Sequence, residues 1–296
     1  MEQKHFLKFR KNQTIVLLFD LEFYVPLSER DEKLVFQANP YRNAHFLIGG
    51  TFIQYYPLNA KKSPSTHEYW IWNYKTEKEM LEDIIKLFKE SWDIISSGDG
   101  KSELIVSGIG IGRVDIAYLF GRCMMNQVEN NETLFSCLNR LRVVDLENVA
   151  IPYFKSKNEL LYPKNTSEIN QKFKIKRKRE VGTLIWDYYD KKEYSKILER
   201  NNNEVKDQLE VYKEIAKINF IKNLAEKYSV NSFNDILEGL KSQRDKDYIM
   251  CYYKINEETG RYCLKEDVDN EIKYKLMKLI FVSGYYYRKD KRANGA

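Results

Sequence analysis

Hydrophobic positions along the chain follow two periods. From Thr14 to Asp20 (TIVLLFD) they are nearly continuous, the pattern of a short strand buried on both faces. Residues 46–56 (FLIGGTFIQYY) and 68–74 (EYWIWNY) are rich in β-branched and aromatic residues and predict two more strands. Pro, Ser and Asn mark the segment between them, PLNAKKSPSTH, as a loop. The period then lengthens. Over 76–97 the apolar residues stand at 80, 81, 84, 85, 87, 88, 92 and 95, one face of a helix. Thr76 and Glu79 have the spacing of a capping box at its start. ELIVSG (103–108) predicts a fourth strand, GIGIGR a glycine-rich turn, and VDIAYLFGRCMM (114–125) a helix. RVVDLENVA (142–150) holds a short fifth strand. The order βββ-α-β-α-β predicts an α/β fold, a mixed five-stranded sheet flanked by helices.

From residue 166 the pattern is helical: SEINQKF, EVGTLIWDYYD, KKEYSKILER and NEVKDQLEVYKEIAKINFIKNLAEKY. Further on, NSFNDILEGL and VDNEIKYKLMKLIFV predict helices. YIMCYYKINEETGRYCL predicts a hairpin around E-E-T-G, and RKDKRANGA a frayed tail. The expected division is a domain over 1–215 and a mostly helical C-terminal extension, with that hairpin, over 216–296. Trp70, Trp72 and Trp186 are expected in the core.

Composition narrows the chemistry. With 43% hydrophobic and 31% charged residues the chain can build a sizeable core, which argues against disorder. No run approaches the ~18 apolar residues of a membrane span, so no membrane role is expected. MEQKHFLKFRKNQ lacks the apolar stretch of a signal peptide. Cys123, Cys137, Cys251 and Cys263 are scattered without a C-x-x-C spacing, which reads as reduced thiols in a cytoplasmic protein rather than a zinc site. With only His5, His45 and His67, any metal chemistry has to lean on carboxylates. The net charge of +6 is a mild pointer to anionic partners.

The carboxylates are the feature that stands out. Asp20 and Glu22 sit two apart at the end of the first strand, so period two puts both on one face. Like charges held together need a cation or open solvent. Asp115 follows the fourth strand at the start of a helix, where it serves equally as a first-turn residue. If strands one and four are neighbours, Asp115 approaches Asp20 and Glu22 at one edge of the sheet. GIGIGR is G-x-G-x-G rather than the dinucleotide-binding G-x-G-x-x-G, and it reads as a tight turn beneath Asp115.

DLE after an apolar strand, followed by VDIAYLFGR after a later one, resembles the DEDD 3′–5′ exonuclease superfamily. The similarity is to the branch related to the proofreading exonuclease domain of family B polymerases. VVDLENV (143–149) and residues 173–212 extend it to about residues 14–215. The resemblance implies a ribonuclease H-like fold and hydrolysis of phosphodiester bonds in DNA or RNA. It assigns Asp20 and Glu22 to the first acidic motif, Asp115 to the second and Glu204 to the last, as ligands of two Mg²⁺ or Mn²⁺ ions. Two such ions about 3.5–4 Å apart activate a water and shield the leaving oxygen. The sequence departs from the pattern in three places. Gly110 stands where an Asn is common, and Arg200 and Glu199 stand where the family carries a water-orienting Tyr or His. Asp207 is an alternative to Glu204 in a poorer register, and Lys206 or Tyr189 are candidates for the missing base.

The implied partner is single-stranded or end-frayed nucleic acid; the oligomeric state stays open. KFKIKRKR (172–179) offers Lys174, Lys176, Arg177, Lys178 and Arg179 for phosphate contact, or is simply a solvated basic stretch. Tyr-rich segments at 55–56, 252–253 and 285–287 suit base stacking or ordinary packing. The alternative to a nuclease is a ribonuclease H-like module that binds nucleic acid without cutting it.

Overall fold

A computed structural model of the chain describes residues 13–30, 37–59, 61–96, 104–154, 161–175 and 182–225, and parts of 237–279. The chain divides into two compact units, Met1–Tyr212 and Lys213–Ala296.

The first unit is an α/β fold. Its mixed sheet has the order β3-β2-β1-β4-β5, with β1 Val16–Tyr24, β2 Phe46–Tyr55, β3 Ser65–Trp70, β4 Leu104–Gly108 and β5 Leu141–Asp145. β1, β2 and β3 form an antiparallel meander, while β4 and β5 run parallel to β1. This is the arrangement of a ribonuclease H-like fold. Helices α1 (Glu77–Ser96), α2 (Asp115–Met125), α3 (Asn131–Asn139), α4 (Leu146–Val149), α5 (Thr166–Lys172), α6 (Leu184–Asp190) and α7 (Tyr194–Ala225) complete the order.

β1 is the centre of the fold and is covered on both faces. Ile15, Leu17, Phe19, Leu21 and Phe23 enter the large core that also buries Met80, Leu81, Ile84 and Phe88 of α1 and Leu119 of α2. The opposite face carries Val16 and Leu18, which pack with Ile53 of β2 and with Val205 and Leu209 of α7. Farther along this layer, Ile48 and Trp70 pack with Ile185 of α6 and Ile197 of α7. Fully burying each such aliphatic side chain contributes about 1.5–3 kcal/mol. The seam beneath α7 is therefore apolar at both ends, and the acids of β1 lie in the gap between.

Several elements differ from the sequence expectations. β1 continues to Tyr24 rather than ending at Asp20, because β2 pairs with it through Tyr24 while β4 pairs only with Val16–Leu18. Residues 71–73 form a 3₁₀ turn rather than the end of β3. Thr76 caps α1 through the Glu79 N–H, but Glu79 returns to the Lys75 N–H, so the reciprocal box is not closed. A closed capping box stands at α5, between Asn165 and Glu168. α3 was not expected. Trp70 is buried, whereas Trp72 is half-buried in a stack between Trp70 and Tyr194, and half-buried Trp186 donates to the Phe23 carbonyl.

In the second unit, helix α8 (Gln243–Tyr252) leads into a hairpin of β6 (Tyr253–Asn256) and β7 (Arg261–Leu264). Tyr248–Tyr252 belongs to the helix rather than the hairpin: Ser242 caps α8, and Ile249 is buried with Tyr253, Val268 and Leu276. The predicted helix over 231–240, the tail and Tyr285–Tyr287 fall largely or wholly outside the described residues. Among the described residues no helix is long and apolar enough to cross a membrane.

Candidate functional site

The acidic gap is built by β1 and α7. Asp20 and Glu22 lie on the α7 side of β1, in the stretch that extends past the end of its pairing with β4. In α/β sheets this end of the parallel strands is where ligands gather. Opposite Glu22 on β2 stands Gly49, with φ +146; a Cβ there would come within 2.1 Å of the Tyr69 carbonyl oxygen. Only glycine is compatible with that approach.

α7 presents Arg200, Asn201, Glu204 and Gln208 to this stretch, the i, i+3/i+4 and i+7 positions of one helix face. Carboxylate oxygens of Asp20, Glu22 and Glu204 all lie within 4.8 Å of one another. Asn201 is fully buried; its Nδ2 donates to Asp20 Oδ2 at 3.0 Å and reaches Glu22 Oε1 at 3.3 Å, while its Oδ1 accepts the Thr51 N–H at 2.9 Å. Gln208 Nε2 lies 3.3 Å from Asp20 Oδ1, and Gln208 Oε1 is buried with no partner among the described residues. Asp207 is not one of the three clustered acids.

Arg200 lies inside this acid group. Its Nε is 3.0 Å from Glu204 Oε1 and its side chain is only 8% exposed. Burial pulls the guanidinium pKa down, but the charges of Glu22, Glu204 and Asp20 more than offset that and hold it above its ordinary value. Its Nη1 is buried without a hydrogen-bond partner among the described residues. The guanidinium thus lies in the field of all three carboxylates.

Asp115 sits one step away, outside the three-carboxylate group. It is the first residue of α2, and its Oδ1 accepts the Leu21 N–H at 3.0 Å, taking a β1 donor beyond the reach of β4. Burial raises its pKa to about 7; the Leu21 N–H works against that, and the charges of Glu22 and Asp145 add to it. Asp145, at the end of β5, holds the glycine turn from below: its oxygens accept the N–H groups of Gly110, Gly112 and Glu147, each at 3.0 Å. Gly110 has φ +76, which accounts for glycine at this position.

The remaining candidates lie elsewhere. Tyr189 packs with Tyr24, Phe46 and Tyr194, and burial raises its phenol pKa. Lys206 is exposed. Lys174 follows α5 with φ +61, while Lys176, Arg177, Lys178 and Arg179 lie outside the described residues. No sequence pattern singled out Asn201, Gln208 or Asp145. A polar side chain on the α7 face that otherwise carries Ile197, Val205 and Leu209 is the signal that would have found the first two.

The donor set, carboxylate oxygens alone, suits a hard divalent cation. Against that, both oxygens of Asp20 face amide donors and Arg200 supplies a charge of its own.

The sequence matches no protein-family model and no curated protein. Among solved structures it is similar to the family B DNA polymerase from the hyperthermophilic archaeon Pyrobaculum calidifontis, at 12% identity and a TM-score of 0.46. The alignment covers 93% of this chain and 47% of the polymerase, so the chain spans about half of that protein's length. A likeness this slight carries no weight for function.

Proposed function

We propose that the first unit is a divalent-metal-dependent phosphodiesterase, a 3′–5′ exonuclease acting on DNA or RNA. The observation that supports the proposal is the convergence of Asp20, Glu22 and Glu204 within 4.8 Å, from elements nearly 200 residues apart in sequence. Asp20, Glu22 and Glu204 would hold Mg²⁺ or Mn²⁺, with Asp115 at the margin. Ions there would activate the attacking water and shield the leaving oxygen. The chain's own part is positioning. Asn201 and Gln208 fix the Asp20 carboxylate, and Asp145 fixes the turn leading into Asp115. Arg200, where the family places a Tyr, cannot accept a proton, and Glu199, where it places a His, is exposed, so neither supplies the usual water-orienting group. Lys174, with the basic residues 176–179, would contact phosphates without reading sequence.

A second reading rests on Arg200. A guanidinium already neutralising the acids is what a ribonuclease H-like module that binds nucleic acid without cutting it would carry. One experiment separates the two: end-labelled single-stranded DNA and RNA are incubated with the protein in Mn²⁺, Mg²⁺ or EDTA, beside an Asp20→Ala, Glu22→Ala variant. Metal-dependent stepwise shortening that the variant lacks supports the exonuclease. Salt-sensitive binding without cleavage supports the module and refutes the exonuclease.

A further inference from the structure

We infer that Arg200 is a built-in counter-cation for the acid site, competing with divalent metal for the charge of Asp20, Glu22 and Glu204. The inference rests on the metal-site reading above and adds its regulation: metal gains full access to the acids only when the guanidinium moves out.

Three observations carry it. The first is position. Arg200 is one turn before Glu204 on α7 and bonded to it, and it feels Glu22, Glu204 and Asp20 together. The second is burial without satisfaction. The side chain is 8% exposed, yet Nη1 has no partner among the described residues. A buried N–H left unpaired is unfavourable, so what holds the guanidinium there is charge rather than a complete set of hydrogen bonds. The third is overlap. The carboxylate that Arg200 bonds is one of the three whose oxygens lie within 4.8 Å of one another, so the guanidinium and a divalent ion would draw on the same ligand. A guanidinium and a divalent ion at the same carboxylates repel each other, and binding one weakens the other.

The test is Mn²⁺ binding by the full chain, measured by calorimetry and by the free-Mn²⁺ electron paramagnetic resonance signal, with no nucleic acid present. The variants are Arg200→Gln, Arg200→Met and Arg200→Lys. Removing one opposing charge is expected to tighten Mn²⁺ binding by about tenfold or more. Arg200→Gln and Arg200→Met should both show the gain, Arg200→Lys should stay within a few-fold of wild type, and adding Asp20→Asn to Arg200→Gln should abolish the gain. Equal affinity in wild type and both neutral variants would overturn the inference, as would a full gain in Arg200→Lys. If the neutral variants fold only when refolded with Mn²⁺, the inference stands; if Mn²⁺ does not restore them, it falls. Failure of the exonuclease reading is distinguishable. Tighter Mn²⁺ binding without cleavage by any form would uphold the counter-cation and refute the nuclease. Cleavage by wild type with unchanged affinity in the variants would do the reverse.

Discussion

Two buried arginines in the first unit meet carboxylates in opposite ways. Arg122 on α2 faces a single acid, Glu77 at the start of α1. Its Nε and Nη2 lie 2.9 and 2.5 Å from the two Glu77 oxygens, and its Nη1 donates to the carbonyls of Pro40 and Arg42. Glu77 in turn accepts from the Leu47 N–H and from Asn126. Here charge is matched one to one, and every nitrogen of the fork has a partner. Arg200 lies in the field of three acids, bonds Glu204 through Nε, and keeps a buried Nη1 without a hydrogen-bond partner among the described residues. Both side chains are under 10% exposed, so burial does not separate them. Completeness does: every nitrogen of the Arg122 fork is hydrogen-bonded, while Arg200 Nη1 is held in place without a bond of its own among the described residues.

The largest effect should come from breaking the Arg122–Glu77 pair. Arg122→Met leaves Glu77 buried and unpaired, and should lower unfolding free energy by about 3–5 kcal/mol in denaturant titrations. Next comes a pH dependence from the region of Arg200. Asp115 keeps its proton in the folded state up to about pH 7 but loses it near 3.8 in the unfolded chain. The folded form therefore holds an extra proton between those values, and in EDTA stability should fall as pH rises across that window and level off above it. Asp115→Asn, which still offers the Leu21 N–H an acceptor, should flatten this slope. Asn201→Leu frees the Thr51 N–H and releases the grip on Asp20 and Glu22; it should cost about 1–3 kcal/mol. The smallest effect sharpens the comparison from the other side. Arg113 pairs with Glu147 at 3.4 Å but is 74% exposed, so Arg113→Ala should change stability by less than about 0.5 kcal/mol.

Why the sequence disclosed some of this and not the rest follows from the kind of signal each residue carries. Apolar and aromatic runs marked the strands of the first sheet except the first half of β3, where Ser65–His67, read as loop, pair with β2 without an apolar run, and helical spacing marked α1 and α2. α3 escaped because its burial is slight. Leu134 and Cys137 face inward while Phe135 is 66% exposed, so no apolar stripe announces it. In the site, Asp20 and Glu22 were visible as two acids at strand spacing next to an apolar run. Asn201 and Gln208 were not, because an amide on a charged helix looks like any surface residue until the opposite strand is known. Arg200 with Glu204 reads in sequence as an ordinary i, i+4 surface pair. Only the fold, by laying that pair against β1, brings it up to Asp20 and Glu22.

The most direct test of the difference between the two arginines is thermal unfolding of Arg122→Met and Arg200→Gln, each with EDTA and with Mn²⁺. Mn²⁺ is expected to restore Arg200→Gln towards the wild-type midpoint and to leave Arg122→Met where it was, because only the first has vacated a charge that a divalent ion can replace. Equal recovery of both variants, or of neither, would contradict it.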